Sequence, residues 1–326
     1  KLNQPRLIAA GTLLSACSTG MMGFVSSYES LLVCATLAGV GSSIFHPEGA
    51  KIMNRLGGGK KGKAMGTFAI GGSSGFAFGA IAYTVGAHGL AAFTVAGIII
   101  STVLFLLMPR IVAHAQTIDQ TVATEHSTVA VQPLKNYWKY FGILFIIILS
   151  QSVNFRVINA FIPVFWTHEL GTSPEQGSFA LTVFFSIGIF MTYIGGLLGD
   201  KYGPIKIIRL SLLIWLPSMF LLTQVPEFSV TIMMPLAYLI LLMIGAAKAI
   251  SYSPVIVLGQ TYLAKSIGFA SGITLGVSQT IGGIIAPVVG NLADTYSLPA
   301  AMMTLVPFLI VGLVASLLLK DPKKLQ

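Results

Sequence analysis

Ten apolar stretches of about twenty residues alternate with short polar breaks along this chain. A helix of roughly twenty apolar residues is long enough to cross the hydrocarbon core of a bilayer, so each stretch predicts one membrane-spanning helix. The predicted spans are Arg6–Ser26, Glu29–Met53, Lys63–Ala87, Gly89–Met108, Lys139–Thr167, Glu175–Gly199, Ile205–Thr223, Phe228–Tyr262, Ser266–Leu292 and Leu298–Leu319.

A polar gap divides these spans into a group of four and a group of six. Residues 110–137 contain no apolar run long enough to cross a membrane, and we expect them to form a linker outside the bilayer. The predicted organisation is the remainder of an N-terminal bundle at residues 1–109, a cytoplasmic linker at 110–137, a six-helix bundle at 138–320 and a cytoplasmic tail at 321–326.

An internal repeat relates the two groups. In each, a proline is followed fourteen or fifteen residues later by two glycines four apart: Pro47 with Gly62 and Gly66, and Pro254 with Gly268 and Gly272. The offset of about 206 residues sets Lys1 opposite Lys206, so the first two helices of the second group have no equivalent in the first. We therefore expect a parent protein of twelve helices in two similar halves, with two helices and a loop upstream of Lys1.

Composition indicates an integral membrane protein, and the charge pattern predicts its orientation. Hydrophobic residues make up 55% of the chain and charged residues 9%, with a mean hydropathy of +0.85, which leaves too little polar surface for a soluble domain. Seventeen of the nineteen lysines and arginines lie in breaks that recur after every second stretch. Because basic breaks stay in the cytoplasm, we expect an all-α multi-pass protein of the bacterial inner membrane with a cytoplasmic linker and C-terminus.

The net charge of +9 predicts contact with lipid headgroups rather than nucleic acid, because the cations are spread over helix ends. The two cysteines, Cys17 and Cys34, lie in apolar stretches and are expected to be packing residues. The sequence has neither a phosphate-binding Gly-Lys-Ser/Thr motif nor clustered cysteines and histidines. We therefore expect no enzymatic activity, no cofactor and no metal site.

Two cations, Arg156 and Lys248, lie inside predicted spans. Each costs about 2.5–3.5 kcal/mol near the bilayer centre unless its surroundings offset that cost. Helical spacing sets Ser152 and Asn159 on the stripe of Arg156, and Tyr252 on the face of Lys248. We predict that these five residues line a water-filled cavity and bind an anionic substrate. The alternative is that Arg156 pairs with backbone carbonyls or with a carboxylate on helices upstream of the chain.

His46 and Glu48 flank Pro47, which removes a backbone hydrogen bond and bends its helix. An imidazole titrates near physiological pH, so His46 suits proton coupling, and Glu48 is the second candidate. Two residues apart on a helix point in nearly opposite directions, so at most one of them faces a cavity. The alternatives are a packing role for His46 and an ion pair between Glu48 and Lys51.

Two six-helix halves joined by a cytoplasmic linker resemble the major facilitator superfamily of secondary transporters. The segment Gly196-Leu-Leu-Gly-Asp200-Lys-Tyr-Gly203-Pro-Ile-Lys206 is similar to the superfamily's loop motif between the second and third helices of a half. The resemblance implies that Gly196 lets two helices approach and that Asp200, beside Gly203, latches one conformation by pairing with basic residues and a helix end. The basic run is thinner here than in the superfamily, which implies a weaker latch.

Four glycines at spacings of nine, four and four are similar to the superfamily's antiporter motif on the fifth helix: Gly62, Gly71, Gly75 and Gly79. This chain departs from the motif, with Phe76 where the motif has proline and Ala80 where it has a final glycine. The resemblance implies antiport. The alternative is a seam of small residues that packs helices together and has no bearing on transport direction.

The segment Ala38–Ala50, which contains Phe-His-Pro-Glu, resembles the fosmidomycin-resistance group of drug exporters, as does the stretch Gly66–Gly75. The resemblance implies proton-coupled efflux, by alternating access, of a small anionic or amphiphilic compound such as a fosmidomycin-like drug, and hence antibiotic resistance. We expect a monomer whose partners are a small-molecule substrate, protons and membrane lipids. Uptake of an organic anion, and a non-transporting receptor or scaffold on a decayed transporter fold, are the alternatives.

Overall fold

The computed structural model describes residues 6–84, 87–125 and 135–325. Regular structure in these ranges is helical, and the one strand-like pairing that they contain is an isolated bridge between Asn136 and Leu263. Eight helical segments of the described residues are long and apolar enough to cross a membrane, and Leu7–Met21 is a shorter apolar helix. The protein is therefore an all-α membrane protein, as the hydropathy pattern predicts.

The helices follow the predicted spans in order. The first half contains α1 (Leu7–Met21), α2 (Tyr28–Leu56), α3 (Lys61–Thr84) and α4 (Ala91–Glu125). The second half contains α5 (Trp138–His168), α6 (Pro174–Tyr202), α7 (Pro204–Gln224), α8 (Val230–Tyr262), α9 (Ile267–Gly272), α10 (Ser278–Thr295), α11 (Leu298–Met303) and α12 (Leu305–Leu317). A π-helical turn, Ile273–Val277, joins α9 to α10 as one span, and α11 with α12 forms the last.

Helix α4 extends well beyond the predicted end of its span. It contains Pro109 and continues to Glu125, inside the segment that the sequence assigns to the linker. Residues 111–125 contain neither glycine nor proline, so nothing in the local sequence stops the helix where its apolar stretch stops. Hydropathy marks where a chain leaves the apolar region, whereas the end of a helix depends on local breakers.

Local capping explains where several helices begin and end. The Ser27 hydroxyl accepts a hydrogen bond from the Ser30 N–H at the start of α2, and Ser173 forms a capping box with Gln176 at the start of α6. Gly203 alone connects α6 to α7 and has a φ of +92°, which glycine adopts at little cost. Pro204 then occupies the first turn of α7, where its missing N–H is not needed.

The largest apolar core lies in the second half, where α5 packs against α6, α8, α10 and α12. Trp166 and Trp215 are fully buried in it. The outer surface is apolar as well, with Phe190 66% exposed and Ile284 67% exposed, which is expected of side chains that face lipid tails.

The two halves meet mainly through two helices of the first half and three of the second. Helix α3 packs along α6 and also contacts α8, and α2 contacts α9. A small apolar cluster of Ala50, Met65 and Ile256 lies across this boundary. These contacts join the halves at the end of the bundle where the lysines and arginines of the breaks are concentrated, and the central cavity lies between the halves away from that end.

Candidate functional site

A central cavity of about 600 Å³ lies between the two halves. This volume is within the range of pockets that hold small molecules. Both halves contribute to its wall: Ser15, Thr19, Ser42, His46, Ala69, Gly72 and Gly75 from the first, and Phe155, Arg156, Lys248, Tyr252 and Leu275 from the second. Residues of the candidate anion site, Arg156, Lys248 and Tyr252, thus line the same cavity as His46 of the candidate proton site.

Lys248 is held against two aromatic rings. Its Nζ lies 4.2 Å from the centroid of the Phe155 ring and 5.0 Å from that of the Tyr252 ring. The negative faces of aromatic rings attract a cation and offset part of the cost of removing it from water. Phe155 is buried on α5 next to Arg156. Its role was not predictable from the sequence, because a phenylalanine in an apolar helix is indistinguishable from an ordinary core residue.

Arg156 is exposed within the cavity wall, one turn along α5 from Ser152. Gly282 of α10 makes room for it, because a Cβ at Gly282 would lie 2.7 Å from the Ser152 carbonyl oxygen and 3.0 Å from Arg156 Cγ. Among the residues that the structure describes, no carboxylate forms an ion pair with Arg156 or Lys248. Among the described residues, the second-half wall of the cavity therefore carries positive charge without an acidic partner.

The other predicted anion-site residues have different positions. Tyr252 lines the cavity with Lys248, and Ser152 is buried in a side pocket of about 40 Å³ beside Gln151 and Lys248. Asn159, one turn beyond Arg156, is half-buried and is not among the cavity residues. The straight helical stripe that groups Asn159 with Arg156 extends past the end of the cavity.

The structure separates His46 from Glu48. His46 lines the cavity, with its ring centroid 5.4 Å from that of Phe45 and 6.3 Å from that of Phe68. The Glu48 carboxylate lies 3.5 Å from the Lys51 ammonium and is not among the cavity residues. Pro47 is accommodated within α2 and does not turn the two side chains to one side.

The acidic residue of the loop motif contacts a helix end across the two halves. The Asp200 carboxylate accepts hydrogen bonds from the backbone N–H groups of Gly62, at 2.7 Å, and Lys63, at 2.8 Å. Helix α3 begins at Lys61, so these N–H groups lack partners within their own helix and carry the positive end of its dipole. Asp200 is therefore a charged N-terminal cap that α6 supplies to α3.

Gly62 and Gly196 make this contact sterically possible. A Cβ on either residue would collide with the backbone of the other, so only glycine allows α3 and α6 to approach so closely. Farther along the same helix, Gly71 and Gly75 face open space, and Gly75 lines the cavity. The glycine stripe is a packing seam at Gly62 and a cavity wall at Gly75. The surroundings of Gly79 lie outside the described residues.

A buried amide pair crosses the same end of the bundle. Asn54 Nδ2 donates to Gln260 Oε1 at 2.5 Å, and the two residues are 4% and 2% exposed. Gln260 Nε2 in turn donates to Ser271 Oγ at 2.9 Å. Asn54 and Gln260 are 206 residues apart, which is the offset of the internal repeat. Equivalent residues of the two halves therefore meet at their interface.

A helical membrane bundle of two similar halves around a polar cavity that is closed at one end is the architecture of a membrane transporter. The family model of the Major Facilitator Superfamily matches residues 144–326, a little more than half of the chain. The chain belongs to the Major Facilitator Superfamily.

Comparison with known proteins agrees with this assignment. The chain is 29% identical to the uncharacterised MFS-type transporter YfnC of Bacillus subtilis (strain 168), across 98% of this chain and 78% of that protein. It is 26% identical to the fosmidomycin resistance protein of Escherichia coli (strain K12), across 91% of this chain and 72% of that protein. Its fold resembles that of the human organic anion transporter MFSD10 (TETRAN), with a TM-score of 0.75 and 13% identity across 95% of this chain and 77% of that one.

The amide pair predicts a measurable coupling between the halves. Asn54→Leu or Gln260→Leu leaves the other buried amide without its partner, and each change should lower the free energy of unfolding by about 1–3 kcal/mol. The double variant replaces both polar groups, so its loss should be smaller than the sum of the single losses by about 1 kcal/mol. The measurement is thermal unfolding of the purified protein in detergent. Gln224→Leu is the control, because the partner that the described residues give this amide is its neighbour Thr223, within the second half. Strictly additive losses would contradict the coupling.

Proposed function

We propose that this protein is a secondary active transporter that exports a small anionic or amphiphilic compound in exchange for protons. The observation that carries the proposal is the pair of cations, Arg156 and Lys248, on the wall of a closed-ended central cavity without a carboxylate partner among the described residues. A cavity with this charge attracts an anion and strengthens its binding, because water screens the interaction less there than in bulk solvent.

The relative from Escherichia coli supports the direction and the substrate class. Its name records resistance to fosmidomycin, and 26% identity across 91% of this chain makes a related substrate a reasonable proposal. Fosmidomycin is a phosphonate, and the planar guanidinium of Arg156 matches the two oxygens of such a group while Lys248 acts as a movable point charge. A transporter that confers resistance by lowering the concentration of a compound in the cell must export it rather than take it up. We infer that a single chain encloses the pathway, so the transporter works as a monomer in the inner membrane.

Alternating access supplies the mechanism. One half rocks against the other, so that the cavity opens to one side of the membrane at a time. In the state described here, α3 and α6 are in contact at the end that carries the basic breaks, which we take to be the cytoplasmic end. We propose that Asp200, with Gly196 and Gly203, latches this closed state, and that opening to the cytoplasm removes Asp200 from the start of α3.

The latch is tested by Asp200→Asn. The amide keeps the shape of the carboxylate but loses its charge, so we expect the population open at this end to rise about tenfold, in line with the 1.5–3 kcal/mol that hydrogen bonds to a charged group contribute. The distance between spin labels on Lys60→Cys and Lys201→Cys, in a background without Cys17 and Cys34, measures the opening. Asp294→Asn, a change of an exposed carboxylate on α10, should leave the distance distribution unchanged. The latch is ruled out if both variants match the wild type.

The cation site is tested by changes that separate charge from geometry. Arg156→Lys keeps the charge but loses the planar fork, and Lys248→Met removes the charge, so each should weaken binding of fosmidomycin by about tenfold or more. Binding to purified protein and drug resistance of cells are measured, with protein abundance checked by immunoblot. The control is Arg209→Lys, because Arg209 donates to the Ser316 carbonyl away from the cavity and should affect stability rather than affinity. Unchanged affinity in both cavity variants would remove the basis for an anionic substrate.

Proton coupling is assigned to His46 rather than Glu48, because His46 lines the cavity and Glu48 is engaged with Lys51. In proteoliposomes with an imposed pH gradient, His46→Ala should reduce transport to the rate seen without a gradient, whereas Glu48→Gln should still respond to it. Binding of the substrate at constant pH should survive in both variants. If His46→Ala retains a wild-type response to the gradient, the proton is carried elsewhere.

A further inference from the structure

Three hydroxyl side chains form a polar patch on the first-half wall of the cavity. Ser15 and Thr19 are one turn apart on α1, and Ser42 lies on α2, one turn from His46. None of these hydroxyls belongs to the cation site, and none was predicted from the sequence to line a cavity. The spacing of Ser15 and Thr19 does indicate a shared position, since polar residues four apart in an apolar helix lie on one face.

The hydrogens of two of these hydroxyls are already committed to backbone carbonyls. Thr19 Oγ1 donates to the Ser15 carbonyl oxygen at 2.8 Å within α1. Ser15 Oγ donates across helices to the Ala38 carbonyl oxygen at 3.1 Å, a contact that Gly41 permits because a Cβ there would lie 2.9 Å from that of Ser15. A hydroxyl has one hydrogen and two lone pairs. Ser15 and Thr19 therefore present oxygen lone pairs to the cavity, and act as acceptors.

The opposite wall has the complementary character. Arg156 and Lys248 carry only donors and no acceptor. The internal repeat relates parts of the two walls, since Ser42 and His46 lie on α2, Lys248 and Tyr252 lie on α8, and the two helices contain the related prolines Pro47 and Pro254. The cavity therefore has positively charged donors on one wall and the acceptor oxygens of Ser15 and Thr19 on the other.

We propose that the first-half wall selects for ligands that carry an N–H or O–H group at the end opposite their anionic group. This inference rests on the proposed function, because it takes the cation site as the seat of the anion. A ligand with an alkyl end displaces water from the oxygens of Ser15 and Thr19 and leaves these acceptors without a hydrogen bond. A ligand with a donor at that end replaces the hydrogen bonds of the displaced water. Sites that hydrogen-bond a substrate hydroxyl discriminate well against analogues that lack it.

Two small phosphonates that differ in one hydroxyl test the proposal. Binding of 3-hydroxypropylphosphonate and of propylphosphonate to the purified intact transporter is measured by calorimetry. The wild type should prefer the hydroxyl compound by about five- to tenfold, the effect of one neutral hydrogen bond. Ser15→Ala together with Thr19→Val should bring the preference close to one, whereas the single variant Thr19→Ser, which keeps the oxygen, should retain it.

The controls separate this proposal from the function on which it rests. Thr102→Val removes a hydroxyl with the same kind of bond, to the Ile98 carbonyl, on the exposed face of α4, and should leave the preference intact. Lys248→Met should weaken both phosphonates equally and preserve their ratio. If Lys248→Met changes neither affinity, the proposed anion site is wrong. Suppose that Lys248→Met weakens both compounds. If the wild type then does not distinguish them, or if the variant without the Ser15 and Thr19 hydroxyls still does, the anion site stands and the donor-selective wall is overturned.

Discussion

The contact between the start of α3 and the end of α6 is the constraint on which the rest of the arrangement depends. The first N–H groups of a helix need acceptors, and α3 finds them on Asp200 of the other half rather than within its own half. Glycines at positions 62 and 196 remove the side chains that would hold the helices apart. This contact and the Asn54–Gln260 pair hold the two halves together at one end, and the cavity lies between the halves beyond them.

The cavity shows how one helical repeat can produce two different surfaces. The equivalent turns of α2 and α8 carry Ser42 and His46 on one side and Lys248 and Tyr252 on the other. Helix geometry keeps these pairs of positions facing inward in both halves, while the chemistry at each position has diverged. The positive charge is tolerable there because Phe155 and Tyr252 surround Lys248 and because the cavity is open to solvent or a ligand.

Much of the fold was predictable from the sequence because the cost of placing polar backbone and charge in hydrocarbon is large and local. Because of this cost, hydropathy locates the spans, and Arg156 and Lys248 are expected to face the interior of the bundle rather than lipid. The remaining features depend on how separate helices meet. The Asn54–Gln260 bond joins residues whose contact requires the register of both halves, and Phe155 becomes a cation partner only when α5 lies beside α8. Asn159 was grouped with the cavity because a stripe on one helix says nothing about where the neighbouring helices diverge.

The π-helical turn Ile273–Val277 divides the ninth span into two segments with different neighbours. Helix α9 packs on α2 of the first half and on α8 of its own half, whereas α10 packs on α5, and Leu275 between them lines the cavity. A turn with the wider hydrogen-bond spacing interrupts the regular ladder, so the two segments are not one stiff rod. The span is therefore jointed beside the cavity, between a segment that contacts both halves and a segment that packs on α5 of the second half.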